Sequence, residues 1–168
     1  MTCLQVVQAA EEHLPGITAI YNEAVQNSTA TFDTEPKTLD DRRRWLAEHG
    51  EAYPVLVALD PAGQVLAWGS LSPYSDRLAY RFTVEDSLYV HPQARGQGLG
   101  SLLLGRLVEL AQEHNYHTII AKIVDGNAAS LAVHRRHGFT DVGTMRQVGY
   151  KFGRWLDVTI LQRTFGQG

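Results

Sequence analysis

Three glycines lie within five positions directly after an arginine, in the run Arg-Gly-Gln-Gly-Leu-Gly at residues 95–100. Glycine has no Cβ atom, so the backbone can turn sharply there and a ligand can approach the main chain. Leucines recur at helical spacing after this run, so it opens a helix whose unpaired N–H groups and positive dipole end attract an anion. Arg95 adds a fixed positive charge. The run therefore predicts a binding site for a phosphate or pyrophosphate group.

Two common nucleotide-binding loops do not match this run. A Walker loop requires a lysine, and none follows Gly100. The dinucleotide fingerprint is G-x-G-x-x-G within an early βαβ unit, whereas the spacing here is G-x-G-x-G. The pyrophosphate loop of acetyl-CoA-binding proteins fits the spacing. The other interpretation, a glycine-rich turn before an ordinary helix, is less favoured because glycine makes a costly helix start.

Two further side chains could transfer protons. Glu85 lies in an alternating segment that leads to the loop, and a carboxylate in a partly apolar pocket has a raised pKa that suits proton removal. It could also face outward from the strand. His134 follows in a later helix, and an imidazole with a pKa near 6.5 can give up a proton at neutral pH. It could also be a partly buried helix residue, or pair with His137 on a metal, although no third ligand is evident.

The elements that must position these residues can be read from periodicity and turn signals. Asp60–Gly63 predicts a hairpin turn, Thr38 a helix N-cap and Asn127 another. The predicted helices cover about 11–26, 38–49, a segment from residue 99, and 127–137. The predicted strands are 4–7, 55–59, 65–70, 81–90, 118–124, 139–142 and 156–162. This order predicts an α+β or mixed α/β fold with a mostly antiparallel sheet covered by helices.

Composition restricts the classes of partner. The chain has 168 residues and a formal net charge of −3. We therefore expect one domain over residues 1–168, with no general attraction to nucleic acid or to an anionic membrane. Arg42, Arg43 and Arg44 lie among acidic residues, which predicts a solvated helix face. A single cysteine and the lack of a leader or membrane-span pattern predict a cytoplasmic protein.

Two segments resemble the GNAT superfamily of acetyltransferases. Residues 90–103 read V-x-P-x-x-R-G-x-G-L-G-x-x-L, and residues 127–139 read N-A-A-S-L-A-V-H-x-x-x-G-F, in the order of that family. Further segments resemble its phosphinothricin and methionine sulfoximine acetyltransferase branch, at 20–22, 29–32, 53–58, 83–90 and 149–157. The resemblance implies a GNAT fold, acetyl-CoA as donor, a homodimer, and acetylation of the α-amine of phosphinothricin, methionine sulfoximine or methionine sulfone. A different amine, a peptide N-terminus, or a CoA sensor without turnover are the alternatives.

The resemblance also assigns roles. Glu85 becomes the general base and His134 the general acid, since this branch has histidine where most of the superfamily has tyrosine. The main chain at residues 88–90 is expected to pair with the pantetheine amides, and Asn127 to bind pantetheine or cap its helix. The implied acetyl-CoA-binding residues are Leu88, Tyr89, Val90, Arg95, Gly96, Gln97, Gly98, Leu99, Gly100, Ser101, Asn127 and Ser130. No metal is expected.

The acceptor amine is expected to bind among residues from three segments. Arg81 could pair bidentately with a substrate carboxylate, or be an ordinary surface arginine. Phe32 and Tyr74 could hold an apolar side chain, or pack in the core. Lys151 could line the acceptor site across a dimer, or belong to a plain terminal strand. The implied acceptor residues are Thr31, Phe32, Tyr74, Arg81, Thr83 and Lys151.

Overall fold

The computed structural model describes residues 3–166, and within this range seven strands form one sheet in the order β1-β2-β3-β4-β5-β7-β6. The strands are β1 Gln5–Gln8, β2 Val55–Leu59, β3 Val65–Pro73, β4 Thr83–Val90, β5 Thr118–Val124, β6 Thr140–Lys151 and β7 Arg154–Thr164. The α-helices are α1 Leu14–Asn27, α2 Leu39–His49, α3 Leu99–Glu113 and α4 Ala128–Arg136. None of the helices in this range is long and apolar enough to cross a membrane.

The predicted fold class is confirmed. Neighbouring strands run antiparallel except β4 and β5, which are parallel. One hydrophobic cluster packs α1 and α2 against one face of the sheet, and a larger one packs α3 against the other. Both faces are therefore covered, and side chains that alternate along β4 enter two different environments. The single domain over residues 1–168 stays a prediction, and its first two and last two residues lie outside the described range.

Several element bounds differ from the predicted ones. The first helical segment begins as a 3₁₀ turn at 11–13, and α1 starts at Leu14. Strand β3 continues to Pro73 through a segment predicted as loop. Strand β6 runs to Lys151 rather than ending at 142, because it pairs with β7 through a tight turn at Phe152 and Gly153. Residues 140–148 are exposed on both faces, so their sequence carries no alternation that could predict the strand.

The prediction of a solvated arginine cluster was wrong for one residue. Arg43 and Arg44 pair with acidic side chains at the surface, as expected. Arg42 is only 5% exposed, and its guanidinium lies 3.9 Å from the ring centre of Trp45 and 5.0 Å from that of Trp68. Cation–π contacts of this kind stabilise a desolvated guanidinium. The face of α2 that packs on the sheet carries Trp45, and Arg42 lies on this face.

Candidate active site

A slot opens where the parallel strands β4 and β5 separate. The two strands pair at Thr83–Glu85 and Thr118–Ile120, and in the described chain no further ladder joins them. Strand β4 continues to Val90 beyond the paired part, so its edge can accept an extended ligand as an added strand. The predicted main-chain contacts at residues 88–90 belong to this unpaired part. A narrow cavity of about 60 Å³ lies there, lined by Ala30, Asp86, Ser87, Leu88, Tyr89, Ala121, Lys122, Ile123, Val124, Asn127, Ser130 and His134.

The glycine-rich loop leads from the end of β4 into α3. Gly96 and Gly98 have φ values of 77° and 79°, which residues other than glycine rarely adopt. Gly98 caps α3 without any side-chain hydrogen bond, so the N–H groups of the first turn stay available to an anion. A Cβ atom at Gly96, Gly98 or Gly100 would meet nothing within 4 Å. The loop is therefore an open cradle of backbone donors that fits a pyrophosphate group.

The side chains near this cradle differ in their surroundings. Arg95 is exposed, with Nη2 3.5 Å from Glu23 Oε2, and Gln97 is exposed beside it. Leu99 is buried in the core, so it can contribute only its main chain to a ligand. Ser101 Oγ lies 2.8 Å from Nε2 of His137. The His137 ring nitrogen therefore hydrogen-bonds to the Ser101 hydroxyl group in this structure.

Asn127 and Ser130 begin α4 at the wall of the slot. The Asn127 side chain accepts a hydrogen bond of 3.2 Å from the Ser130 backbone N–H, and it therefore caps the helix as predicted. The same side chain also lines the slot. Both roles suggested by the sequence are thus compatible with this position.

His134 forms a buried pair with Asp86. Its Nε2 atom lies 2.8 Å from Asp86 Oδ2, and its Nδ1 atom lies 2.7 Å from the Ser130 carbonyl oxygen. Phe139 packs edge-on against the imidazole at 5.0 Å between ring centres. Burial lowers the pKa of His134, but the hydrogen bond and the charge of Asp86 raise it, and the net shift is upwards.

Glu85 lies on the opposite face of β4, next to Asp86 in sequence. Its Oε1 atom is 3.0 Å from Nζ of Lys122 on β5, and both side chains are partly exposed. The Lys122 ammonium also lies 5.6 Å from the ring centre of Tyr74. Glu85, Lys122 and Tyr74 therefore form one cluster at the edge of the slot, on the side away from His134.

Three of the predicted acceptor residues come together at the end of α1. Lys151 is buried, and its Nζ atom donates to the carbonyl oxygens of Ser28 at 2.7 Å and Thr31 at 2.8 Å. Phe32 packs on Gly149 so closely that a Cβ atom there would clash with the phenyl ring. The Thr31 hydroxyl is 3.1 Å from the hydroxyl of Tyr21. The hairpin of β6 and β7 thus fixes the segment at residues 28–32, with Lys151 acting on its main chain.

Arg81 and Thr83 occupy a different part of the structure. Arg81 is exposed, donates from Nη1 to the Leu78 carbonyl at 3.1 Å, and stacks on Phe82 at 4.5 Å. Thr83 begins β4, where its carbonyl oxygen accepts from the Tyr74 N–H at 3.4 Å. Lys122 contacts both Tyr74 and Glu85 and so connects them. The Arg81 side chain instead contacts the preceding 3₁₀ turn at Leu78–Tyr80.

Sequence reasoning missed Asp86 and Lys122. The signal for Asp86 was its place in the alternation of the strand. It lies two residues after Val84 and two before Leu88, so it is on the face of β4 that packs in the core. A carboxylate on such a face is rarely buried unless it is paired. Lys122 also interrupts an apolar run, that of β5, but it lies on the opposite face from the buried Ala121 and Ile123 and is exposed. No group of three potential metal ligands occurs in residues 3–166.

Comparison with known proteins adds independent findings. The model of the Acetyltransferase (GNAT) family matches residues 17–139, which include the slot, the glycine loop and both proton-transfer candidates. An L-methionine sulfoximine/L-methionine sulfone acetyltransferase of Pseudomonas paraeruginosa is 49% identical over 150 residues, which cover 89% of this chain and 87% of the relative.

Solved structures agree with this result. A phosphinothricin acetyltransferase from Sinorhizobium meliloti in complex with AcCoA superposes with a TM-score of 0.94 at 39% identity, over 98% of this chain and 90% of the other. A ribosomal-protein-alanine N-acetyltransferase from Brucella melitensis superposes with a TM-score of 0.93 at 42% identity, over 96% of this chain and 99% of the other. The fold is shared by proteins named for small-molecule acceptors and for a protein acceptor.

Proposed function

The chain belongs to the GNAT acetyltransferase family, and we propose that it transfers the acetyl group of acetyl-CoA to the α-amine of a small amino-acid analogue. The proposed acceptors are methionine sulfoximine, methionine sulfone and phosphinothricin. The observation that carries the proposal is the separation of β4 from β5 after Glu85. The slot that opens there lies beside both candidate proton-transfer residues, Glu85 and His134. The relatives named for these acceptors, at up to 49% identity over most of the chain, support the choice of substrate class.

The donor binds along β4 and the glycine loop in this proposal. Backbone donors at the start of α3 and the charge of Arg95 would hold the pyrophosphate, and unpaired peptide groups of residues 88–90 would hold the pantetheine. A backbone N–H at this edge would also stabilise the oxyanion that develops during acyl transfer. Acetyl-CoA supplies the activated thioester, and the chain supplies position and proton transfer.

Glu85 removes a proton from the acceptor amine in this proposal. The carboxylate is partly exposed at the edge of the slot, where an amine or a bridging water can reach it. Its contact with Lys122 at 3.0 Å holds the carboxylate in place, and a general base must be positioned in this way. Tyr74 lies against Lys122 on the same side and offers an apolar wall for the acceptor side chain.

The segment at residues 28–32 forms the opposite wall. Its main chain is fixed by Lys151, so Lys151 shapes the acceptor site through Ser28 and Thr31. Phe32 is 39% exposed even though its ring edge packs on Gly149, which leaves an aromatic surface for a methyl or sulfone group. Arg81 is proposed to bind the acceptor carboxylate with the N–H groups that do not donate to Leu78.

A peptide or protein N-terminus is the second candidate acceptor. It is favoured by one observation, the similarity to the ribosomal-protein-alanine N-acetyltransferase structure. An extended peptide requires an open groove beside Glu85. Tyr74 and Tyr80 contact each other at 5.1 Å between ring centres at this point, and this aromatic pair narrows the approach.

The test is a parallel assay of thiol release from acetyl-CoA by the purified protein. The amines would be L-methionine sulfone, L-methionine sulfoximine, phosphinothricin, ordinary amino acids, polyamines and short peptides with N-terminal alanine. We expect release with the three analogues and little with the peptides or polyamines. Release with the peptides alone would replace the proposed acceptor by the second candidate, and tight CoA binding without release for any amine would indicate a sensor.

A further inference from the structure

Asp86 is a buried carboxylate to which the sequence motifs assign no role. The side chains of His134 and Asp86 are only 3% and 1% exposed, yet both line the slot. Asp86 Oδ1 is buried and has no hydrogen-bond partner within the described chain. A half-satisfied buried carboxylate is costly, so its retention beside a reactive slot points to a role in the chemistry.

The hydrogen bonds fix where the protons of the pair lie. The Ser130 carbonyl oxygen can only accept, so the Nδ1 atom of His134, 2.7 Å away, carries a proton and donates it. A second proton lies between Nε2 and Asp86 Oδ2, which are 2.8 Å apart. Both ring nitrogens are therefore engaged, and the ring is held in one orientation.

We propose that Asp86 is a positioning residue that acts through His134, fixing its ring and keeping the imidazole positively charged at the wall of the slot. The inference rests on the proposed acetyl transfer, in which a sulfur atom leaves with negative charge. A preorganised cation in a water-poor site stabilises such a charge strongly.

The groups around His134 favour a charge at this histidine. Asp86 faces the ring from β4, and its hydrogen bond and charge raise the pKa of His134 against the effect of burial. His137 is the other titratable group nearby, at the end of α4. Burial, followed by the charges of Arg163 and His134, lowers the pKa of His137. The pKa values of His134 and His137, which lie within one helical turn, are therefore shifted in opposite directions.

The experiment is a pH titration of the imidazole signals by NMR, in the ligand-free protein labelled at histidine. His134→Gln identifies the signal. In the wild-type protein we expect the His134 midpoint to lie above the ordinary value of about 6.5. In Asp86→Asn it should fall below that value, because burial remains while the charge of the partner is lost.

Two controls keep the result specific. Glu85→Gln removes the neighbouring carboxylate on the opposite face of β4 and should leave the His134 midpoint unchanged. A His134 midpoint below about 6.5 in the wild-type protein would overturn the proposal, even if Asp86→Asn failed to fold. An unchanged midpoint in a folded Asp86→Asn variant would overturn it as well.

A kinetic measurement separates this role from a merely structural one. With any amine that the protein acetylates, Asp86→Asn should lower kcat by at least about tenfold, more so at alkaline pH, while KM for the amine changes little. A kcat that stays at the wild-type value across the pH range would contradict the proposal. The titration needs no acceptor, so rejection of the amino-acid analogues as substrates would refute the proposed function and leave this inference standing.

Discussion

Two adjacent carboxylates on β4 lie in opposite environments. Glu85 points to the face covered by α1 and α2, is partly exposed, and pairs with the partly exposed Lys122. Asp86 points to the face covered by α3 and α4, is almost fully buried, and pairs with the buried His134. Strand alternation alone produces this difference, because successive side chains leave a strand on opposite faces. One strand therefore presents a partly exposed carboxylate and a buried carboxylate–imidazole pair on its two sides.

The exposed pair and the buried pair contribute differently to stability. An exposed ion pair adds little stability, because water screens the charges and side-chain order must be maintained. The stability of the fold therefore places little constraint on the residue type at position 85. A buried pair is costly to break, so Asp86 and His134 contribute to the fold and to the site together. Substitutions at the two positions should separate into an effect on rate and an effect on both rate and stability.

The largest expected effect is the loss of rate in Glu85→Gln. Removal of a general base lowers kcat by about 10²–10⁴-fold, and the amide keeps the size of the side chain. The measurement is the steady-state rate with L-methionine sulfone and saturating acetyl-CoA. Lys122→Met is the matched control, since it removes the ion-pair partner and keeps the carboxylate, and it should lose far less. Equal losses in both variants would show that the ion pair, rather than the carboxylate, is required.

The next largest effect is a loss of stability, which we expect for Asp86→Ala and not for Glu85→Ala. Asp86→Ala leaves the His134 imidazole buried without its partner, and breaking a buried pair in this way costs about 3 kcal/mol of unfolding free energy. Glu85→Ala should cost less than about 1 kcal/mol, because its pair is exposed. Urea denaturation of both variants at pH 6 provides the comparison. Equal costs at the two positions would contradict the assignment of one buried and one exposed pair.

The stability difference should also depend on pH. The raised pKa of His134 means that its protonated form is favoured in the folded protein. Its stabilising contribution is fully present below the unfolded value of about 6.5 and is lost as the pH rises through the folded value. The cost of Asp86→Ala should therefore be largest near pH 6 and smaller at pH 9. A cost that grows with pH would indicate that the proton of the pair is located differently.

A smaller effect is expected at the wall formed by residues 28–32. Lys151→Met removes the donor that binds the Ser28 and Thr31 carbonyls and should loosen this wall. We expect KM for the acceptor to rise about tenfold, equivalent to the loss of one or two buried hydrogen bonds, with kcat less affected. Arg146→Met, at an exposed site of the same hairpin, is the control and should change neither constant. An unchanged KM in Lys151→Met would exclude this role.

The smallest expected effect concerns the glycine loop and separates strain from binding. Gly98→Ala forces alanine into a left-handed conformation and should cost about 1–2 kcal/mol of stability. Gly63→Ala imposes the same strain at a φ of 83° in the distant β2–β3 turn, also with open space around it. Calorimetry should show weaker CoA binding in Gly98→Ala alone. Equal CoA affinities in the two variants would contradict the pyrophosphate site.

The sequence predicted the parts of the site that depend on local chemistry. The sharp backbone turn at the glycines and the cap formed by Asn127 follow from residue type at fixed offsets, and both were predicted. The structure adds that Gly96 and Gly98 make this turn with positive φ values. The Asp86–His134 pair joins residues 48 positions apart. No local spacing encodes such a contact. The clamp of Lys151 on the Thr31 carbonyl spans 120 positions and was missed for the same reason.

Arg42 shows the limit of charge patterns. Its two arginine neighbours and the acidic residues around them indicate a surface, and two of the three arginines are indeed there. The third is buried because the aromatic rings of Trp45 and Trp68 surround its guanidinium. Which arginine turns inward depends on the angle at which α2 packs on the sheet, and that angle is set by tertiary contacts.

The most direct test of the proposed function is the identity of the acetylated product. The protein would be incubated with acetyl-CoA and L-methionine sulfone, beside a short peptide with N-terminal alanine, and the products would be identified by mass spectrometry and NMR. We predict acetylation of the α-nitrogen of methionine sulfone by the wild-type protein, almost none by Glu85→Gln, and an unmodified peptide. An acetylated peptide beside unmodified methionine sulfone would contradict the proposed function.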